Sequence, residues 1–193
     1  MYTFDVTIRI AGNHQKREAD LIGAWGYVFT CPTAEGRTIM ADDAGTQYGY
    51  RTQDMILFAT MKAYQRFHSF VYAMQKKYGK EHCRFSLRLL FGEGSKNILG
   101  MRADKLPLWE AEGFKGEISH AWTWASIANL DRKVRAMWVL DLNSDDEKWD
   151  KLNRTLKVAI KEDWAKLEPS VDLIRVAFYE LGARNIRTRP VVA

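Results

Sequence analysis

Hydrophobic and polar residues alternate with period two over Phe4-Asp5-Val6-Thr7-Ile8-Arg9-Ile10. That is the pattern of a strand with one buried face. A polar loop is expected through Asn13, His14, Gln15, Lys16, Arg17 and Glu18. Gly23-Ala24-Trp25-Gly26-Tyr27-Val28-Phe29-Thr30-Cys31 then reads as a second strand stopped by Pro32, and Arg37–Ala41 as a short third after the turn at Glu35-Gly36. Three successive strands with short links predict an antiparallel meander.

The period then changes. From Thr52 to about Tyr78, the residues Ile56, Ala59, Ala63, Phe67, Phe70 and Met74 recur at three- and four-residue steps, the buried stripe of a long amphipathic helix. Gly79 follows, where glycine suits a left-handed cap. Arg84–Phe91 returns to strand character and breaks at Gly92 and Gly94. The stretch from Gly92 to Trp124 has no clear period; one short helix is expected around Leu106–Ala111. Val134–Leu142 predicts a fifth strand. Ser144-Asp145-Asp146-Glu147 matches a capping box, opening a helix to about Leu167 that stops near Pro169. Val171–Leu181 reads as a last helix before a basic tail. No repeat or low-complexity linker interrupts the chain. A single domain over 1–193 is expected, with its core in about 4–165 and a helical extension and tail in 170–193.

Composition narrows the function classes. The 193 residues are 47% hydrophobic and 27% charged, ordinary for a globular protein, and no stretch has the apolar length to span a bilayer. Cys31 and Cys83 lie too far apart for a zinc-type spacing. The first residues have neither a basic start nor an apolar run, so a reduced, intracellular setting is expected and secretion is not.

The net charge of +5 implies a moderate preference for polyanions. Its distribution says more. Between Met61 and Leu90 lie Lys62, Arg66, Lys76, Lys77, Lys80, Arg84 and Arg88 against the single acid Glu81, and the tail adds Arg184, Arg187 and Arg189. These residues read either as a track for phosphates or as a solvated face. The polar loop Gly92-Glu93-Gly94-Ser95-Lys96-Asn97 reads either as a phosphate-approaching turn, with Lys96 as a contact, or as a plain strand-to-helix turn. Trp122, Trp124, Trp138, Trp149 and Trp164 are read as core residues first and stacking platforms second. Trp109, in the aperiodic stretch, is expected to be the exposed one. His14, His68, His82 and His120 are scattered, with no nucleophile at an informative spacing.

The order strand, strand, strand, helix, strand, then strand and helix resembles that of the ribonuclease H-like fold. Gly23–Phe29 is similar to that family's glycine-aromatic-glycine second strand. Met55–Ala63 resembles the start of its first helix, a Met-Glu-Leu-x-Ala-x-x-x-Ala pattern. Trp138-Val139 followed by Asp150-Lys151-Leu152-Asn153-Arg154 is similar to its closing Asp-x-Leu-Ala-Arg. The resemblance covers about residues 4–165. It implies an α/β architecture with a mixed five-stranded sheet, its first three strands antiparallel, flanked by helices.

The resemblance also implies four carboxylates holding two Mg²⁺ ions that cleave RNA paired with DNA. Here the sequence departs from the pattern. Ala11 stands where the first acid belongs and Ile56 where the second does. Glu93 meets the third only with a one-residue slip, and Asp150 matches the fourth. Asp54 is two positions from Ile56, about 200° around the helix. The leading expectation is therefore a protein that binds nucleic acid, RNA ahead of single-stranded DNA or hybrid, without metal, small-molecule cofactor or membrane. Two alternatives stand beside it. One is a Mg²⁺-dependent nuclease with acids rearranged from Asp5, Asp42, Asp43, Glu93, Asp141 and Asp150; the other is an assembly module.

Overall fold

The computed structural model describes residues 1–17, 20–142 and 147–180, with side chains as far as Trp164. It divides into two units, Met1–Ile160 and Lys161–Ala193.

In the first unit, strands β1 (Tyr2–Arg17), β2 (Asp20–Pro32), β3 (Thr38–Tyr48), β4 (Cys83–Phe91) and β5 (Met137–Leu140) form one sheet in the order β3-β2-β1-β4-β5. β1–β2 and β2–β3 are antiparallel. β4 and β5 add in parallel. This is the mixed sheet that the resemblance implies, with the antiparallel meander expected of its first three strands. β1 continues straight through the expected polar loop, because Asn13–Arg17 pairs residue by residue with Asp20–Ala24. β3 is likewise extended to Tyr48 by pairing with β2 as far as Ile22. A ladder of backbone hydrogen bonds sets these lengths, and it leaves no periodicity where both faces meet water.

Helix α1 (Thr52–Tyr78) matches its predicted span. It runs antiparallel to β1 on one sheet face. At its start, a Cβ added to Gly12 would lie 2.7 Å from the Ile56 backbone nitrogen, so helix backbone rests directly on strand backbone. At its end, Phe70 and Tyr78 close on Phe4. Phe4, Val6, Ile8 and Ile10 of β1 and Leu87, Leu89 and Phe91 of β4 point into this layer and form the core with Met55, Ile56, Ala59, Ala63, Tyr64 and Phe67. Gly79 follows α1 at φ 88° and ψ 139°, positive as expected of a cap glycine but extended in ψ.

Past β4, α2 (Lys96–Gly100), a wider turn at Met101–Lys105 and α3 (Leu106–Ala111) lead to α4 (Ala121–Val134). The periodicity did not show α4, which holds only Trp124, Ile127 and Ala128 buried. It takes up the start of the expected fifth strand, so β5 begins at Met137.

Helix α5 spans Glu147–Glu180 without the break expected at Pro169, so the two expected helices are one. Within the first unit, Trp149, Leu152, Leu156 and Ile160 are buried. Leu152 and Leu156 cover the opposite sheet face at Gly26, where an added Cβ would lie 3.0 Å from each. The second unit contains the rest of α5 to Glu180. The expected capping residues Ser144, Asp145 and Asp146 lie outside the described residues. Among the described residues, no helix is long and apolar enough to cross a membrane.

Candidate nucleic-acid interface

The carboxyl ends of β4 and β5, the middle of β1 and the start of α1 converge, since Ile10 pairs with Phe91 and Phe91 with Leu140. Ligands of open α/β sheets commonly sit at such strand ends. Here the two central positions are hydrocarbon. Ala11 is 8% exposed, beside Gly26 in the register on the face that α5 covers. Ile56 is 2% exposed, under Gly12 on the other face.

The surrounding acids are occupied elsewhere or dispersed. Glu93 is exposed and meets Lys96 Nζ at 3.0 Å. Asp150 is exposed in the first turn of α5. Asp141 receives the Trp149 indole N–H at 3.0 Å, while its own amide donates to the Phe91 carbonyl at 2.8 Å. Asp5 lies toward the start of β1 and accepts from Ser86 at 2.6 Å. Asp42 and Asp43 sit on the edge strand β3. Among the described residues, no group of three His, Cys, Asp or Glu side chains is placed to hold a metal ion. The donor set at Ala11 and Ile56 therefore does not fit the two-ion site implied by the resemblance.

What the start of α1 does hold is a polar and aromatic pole. Asp54 accepts the Arg51 amide at 2.8 Å and pairs with His120 Nε2, also at 2.8 Å. His14 Nδ1 lies 2.7 Å from the Thr52 hydroxyl. His120 adopts a left-handed backbone (φ 58°, ψ 35°) immediately before α4, and the Tyr50 ring lies 6.0 Å from its own. Trp122, on the first turn of α4, is 70% exposed. Trp109, expected to be the exposed tryptophan, packs instead on Trp124 with ring centroids 5.7 Å apart. Nothing local in the sequence pairs Asp54 with His120; their contact needs α4 in place.

The structure separates the predicted basic residues into groups. Lys62 and Arg66 are one turn apart on α1, with the Lys62 ammonium 5.3 Å from the Phe58 ring centre. Lys76, Lys77 and Lys80 are exposed together at the carboxyl end of α1. Arg84 and Arg88 are exposed on the opposite sheet face, alternating with the buried-face residues Phe85, Leu87 and Leu89. Lys96 stands beyond β4. None of Lys62, Arg66, Lys76, Lys77, Lys80, Arg84 and Arg88 forms an ion pair among the described residues. Arg184, Arg187 and Arg189 lie outside the described residues.

Away from both groups, α4 and β5 are joined by a polar network around Asp131. Its carboxylate accepts from the Tyr64 hydroxyl at 2.5 Å, the Ala136 amide at 2.9 Å and Arg102 at 2.9 Å. Trp138 Nε1 donates to the Tyr64 hydroxyl at 2.8 Å, and the Arg102 guanidinium lies 4.6 Å from the Trp138 ring centre. Burial first, then the hydrogen bond to Asp131, pushes the Tyr64 phenol far above its ordinary value.

A five-stranded sheet in the order β3-β2-β1-β4-β5, antiparallel over its first three strands and flanked by helices, is the architecture of the ribonuclease H-like fold. Comparison with solved structures agrees. A type 1 ribonuclease H with a type 2 active-site motif, LC9-RNase H1, superposes with a TM-score of 0.64 at 14% identity, over 84% of this chain and 74% of the other. A foamy viral protease-reverse transcriptase in complex with double-stranded DNA superposes with a TM-score of 0.55 at 14% identity, over 83% of this chain and 90% of the other. No protein-family model and no curated protein sequence matches the chain.

Proposed function

We propose that this chain binds nucleic acid on a ribonuclease H-like scaffold without cleaving it, with RNA the favoured partner. The observation that carries the reading is the set of exposed cations, Arg66, Lys76, Lys77, Lys80, Arg84 and Arg88, with no ion pair among the described residues. A lysine held by a carboxylate has its charge already satisfied, whereas an unpaired one is free to displace counterions from phosphates. The loss of cleavage is argued from Ala11 and Ile56, whose side chains offer no oxygen to a divalent ion. The structurally similar foamy viral protease-reverse transcriptase is in complex with double-stranded DNA, which supports a nucleic-acid partner for this scaffold in general.

Phosphate contacts confer little sequence preference, so affinity is set by salt. Fluorescence anisotropy of a labelled mixed-sequence RNA, titrated with the full chain, tests this. For about five phosphate contacts on a single strand, a fourfold rise in salt lowers affinity by roughly a hundredfold. An affinity that hardly moves over that range overturns the reading.

A further inference from the structure

The carboxyl end of α1 meets the amino ends of β1 and β4, since Tyr2 pairs with Cys83 and the Tyr2 ring lies 4.2 Å from that of Tyr78. This pole is nine residues of strand away from Ala11, about 30 Å. Two tyrosines stand out from it: Tyr72 is 70% exposed and Tyr2 is 49% exposed. Tyr72 and Lys76 are one turn apart, hence neighbours on the solvent side of α1. Lys77 Nζ lies 4.9 Å from the Tyr78 ring centre, with Lys80 just beyond Gly79. Two acids are near: Glu81 meets His82 at 3.4 Å, and Glu35 acts electrostatically on Lys77. The helix end itself carries a partial negative charge, which the three lysines outweigh.

Cations beside outward aromatic rings suit one form of nucleic acid better than another. A duplex offers phosphates while its bases stack on each other, so a surface tyrosine has no base face to meet. A single strand offers both, and base–aromatic stacking is tolerant of sequence. We infer that this pole is a binding surface for single-stranded nucleic acid, on which Tyr72 stacks a base and Lys76, Lys77 and Lys80 contact the flanking phosphates. The inference rests on the nucleic-acid-binding reading and narrows it to a strand form and a place.

The test uses the full chain and two labelled probes, a 20-nucleotide RNA and the same RNA annealed to its complement. Tyr72→Ala lowers single-strand affinity by about 5- to 150-fold, the range for one lost stacked base, and leaves duplex affinity unchanged. Tyr72→Phe keeps the wild-type affinity for both. Lys76→Glu/Lys77→Glu/Lys80→Glu weakens both. Tyr72 is largely solvated, so thermal melts of its variants should match the wild type. If Tyr72→Ala binds the single strand as the wild type does while the triple variant is weakened, the stacking surface is refuted and the general reading survives. If the wild type binds neither probe, both fall. If Tyr72→Ala instead abolishes binding to phosphatidylserine vesicles and leaves RNA binding intact, the pole is a membrane contact and the inference fails.

Discussion

Replacing Asp131 by alanine removes the one carboxylate that ties α1, α4, the Met101–Lys105 turn and the entry to β5 together. Its side chain is 18% exposed and accepts three hydrogen bonds. The losses differ in kind. Tyr64 is fully buried, and its hydroxyl would still receive the Trp138 indole N–H but have no acceptor for its own proton. An unsatisfied buried donor costs about 1–3 kcal/mol. The Ala136 amide at the start of β5 loses its acceptor, about 1 kcal/mol more. Arg102 keeps the Ala136 carbonyl and the Trp138 ring, and it is 30% exposed, so water screens much of its loss. The two sum to about 2–4 kcal/mol, a large share of the 5–15 kcal/mol typical of a domain. Asp131→Asn retains an oxygen for some of the donors and costs about half as much. Urea unfolding monitored by tryptophan fluorescence measures both, with an unchanged m-value as the condition for comparing midpoints. A loss under about 1 kcal/mol for Asp131→Ala would show that the network contributes little and that β5 is held by its pairing with β4 and by packing.

The raised Tyr64 pKa makes a related prediction about alkali. Folding keeps this phenol neutral, so its contribution is complete below the unfolded value near 10 and is lost as pH rises beyond it. The wild type should lose stability steeply above pH 10, and Tyr64→Phe should lose less; parallel curves for the two proteins would refute the assignment. Ala11→Asp places an ionisable group at a position 8% exposed, with Gly26 beside it and the α5 leucines over that face. It should cost roughly 2–4 kcal/mol and create no Mg²⁺-dependent cleavage; a stable variant that gains cleavage would mean that the metal seat is otherwise intact. Lys76→Glu/Lys77→Glu/Lys80→Glu should reduce the slope of log affinity against log salt by about two for a single strand. An unchanged slope would place the phosphate contacts elsewhere.

The parts of the fold legible in the sequence are those where one face is dry and the other wet. Ile56, Ala59, Ala63, Phe67, Phe70 and Met74 gave α1 its span because the helix lies along a sheet with its outer side in water. β4 alternated for the same reason, Arg84 and Arg88 outward and Leu87 and Leu89 inward. β1 beyond Asn13 was illegible because His14, Gln15, Lys16 and Arg17 are held by backbone pairing and bury little. α4 was illegible because only Trp124, Ile127 and Ala128 mark its stripe, while Trp122 on the same helix is exposed. Ala11 and Ile56 were visible as departures from the resembled pattern because a strand and a helix motif fixed the register. The Asp54–His120 pair was not, since its members are 66 positions apart and meet only through α4. Nor did charge spacing reveal that the sheet separates Arg84 and Arg88 from the α1 lysines.

Exposed cations attract phosphates, while positions 11 and 56 offer no oxygens to seat divalent ions. The most direct measurement incubates the full chain with an end-labelled RNA/DNA hybrid in Mg²⁺ or Mn²⁺ and resolves the strands on a denaturing gel. Intact RNA at protein concentrations that fully bind the hybrid is the predicted result. Divalent-dependent fragments that disappear with Asp150→Asn would contradict it.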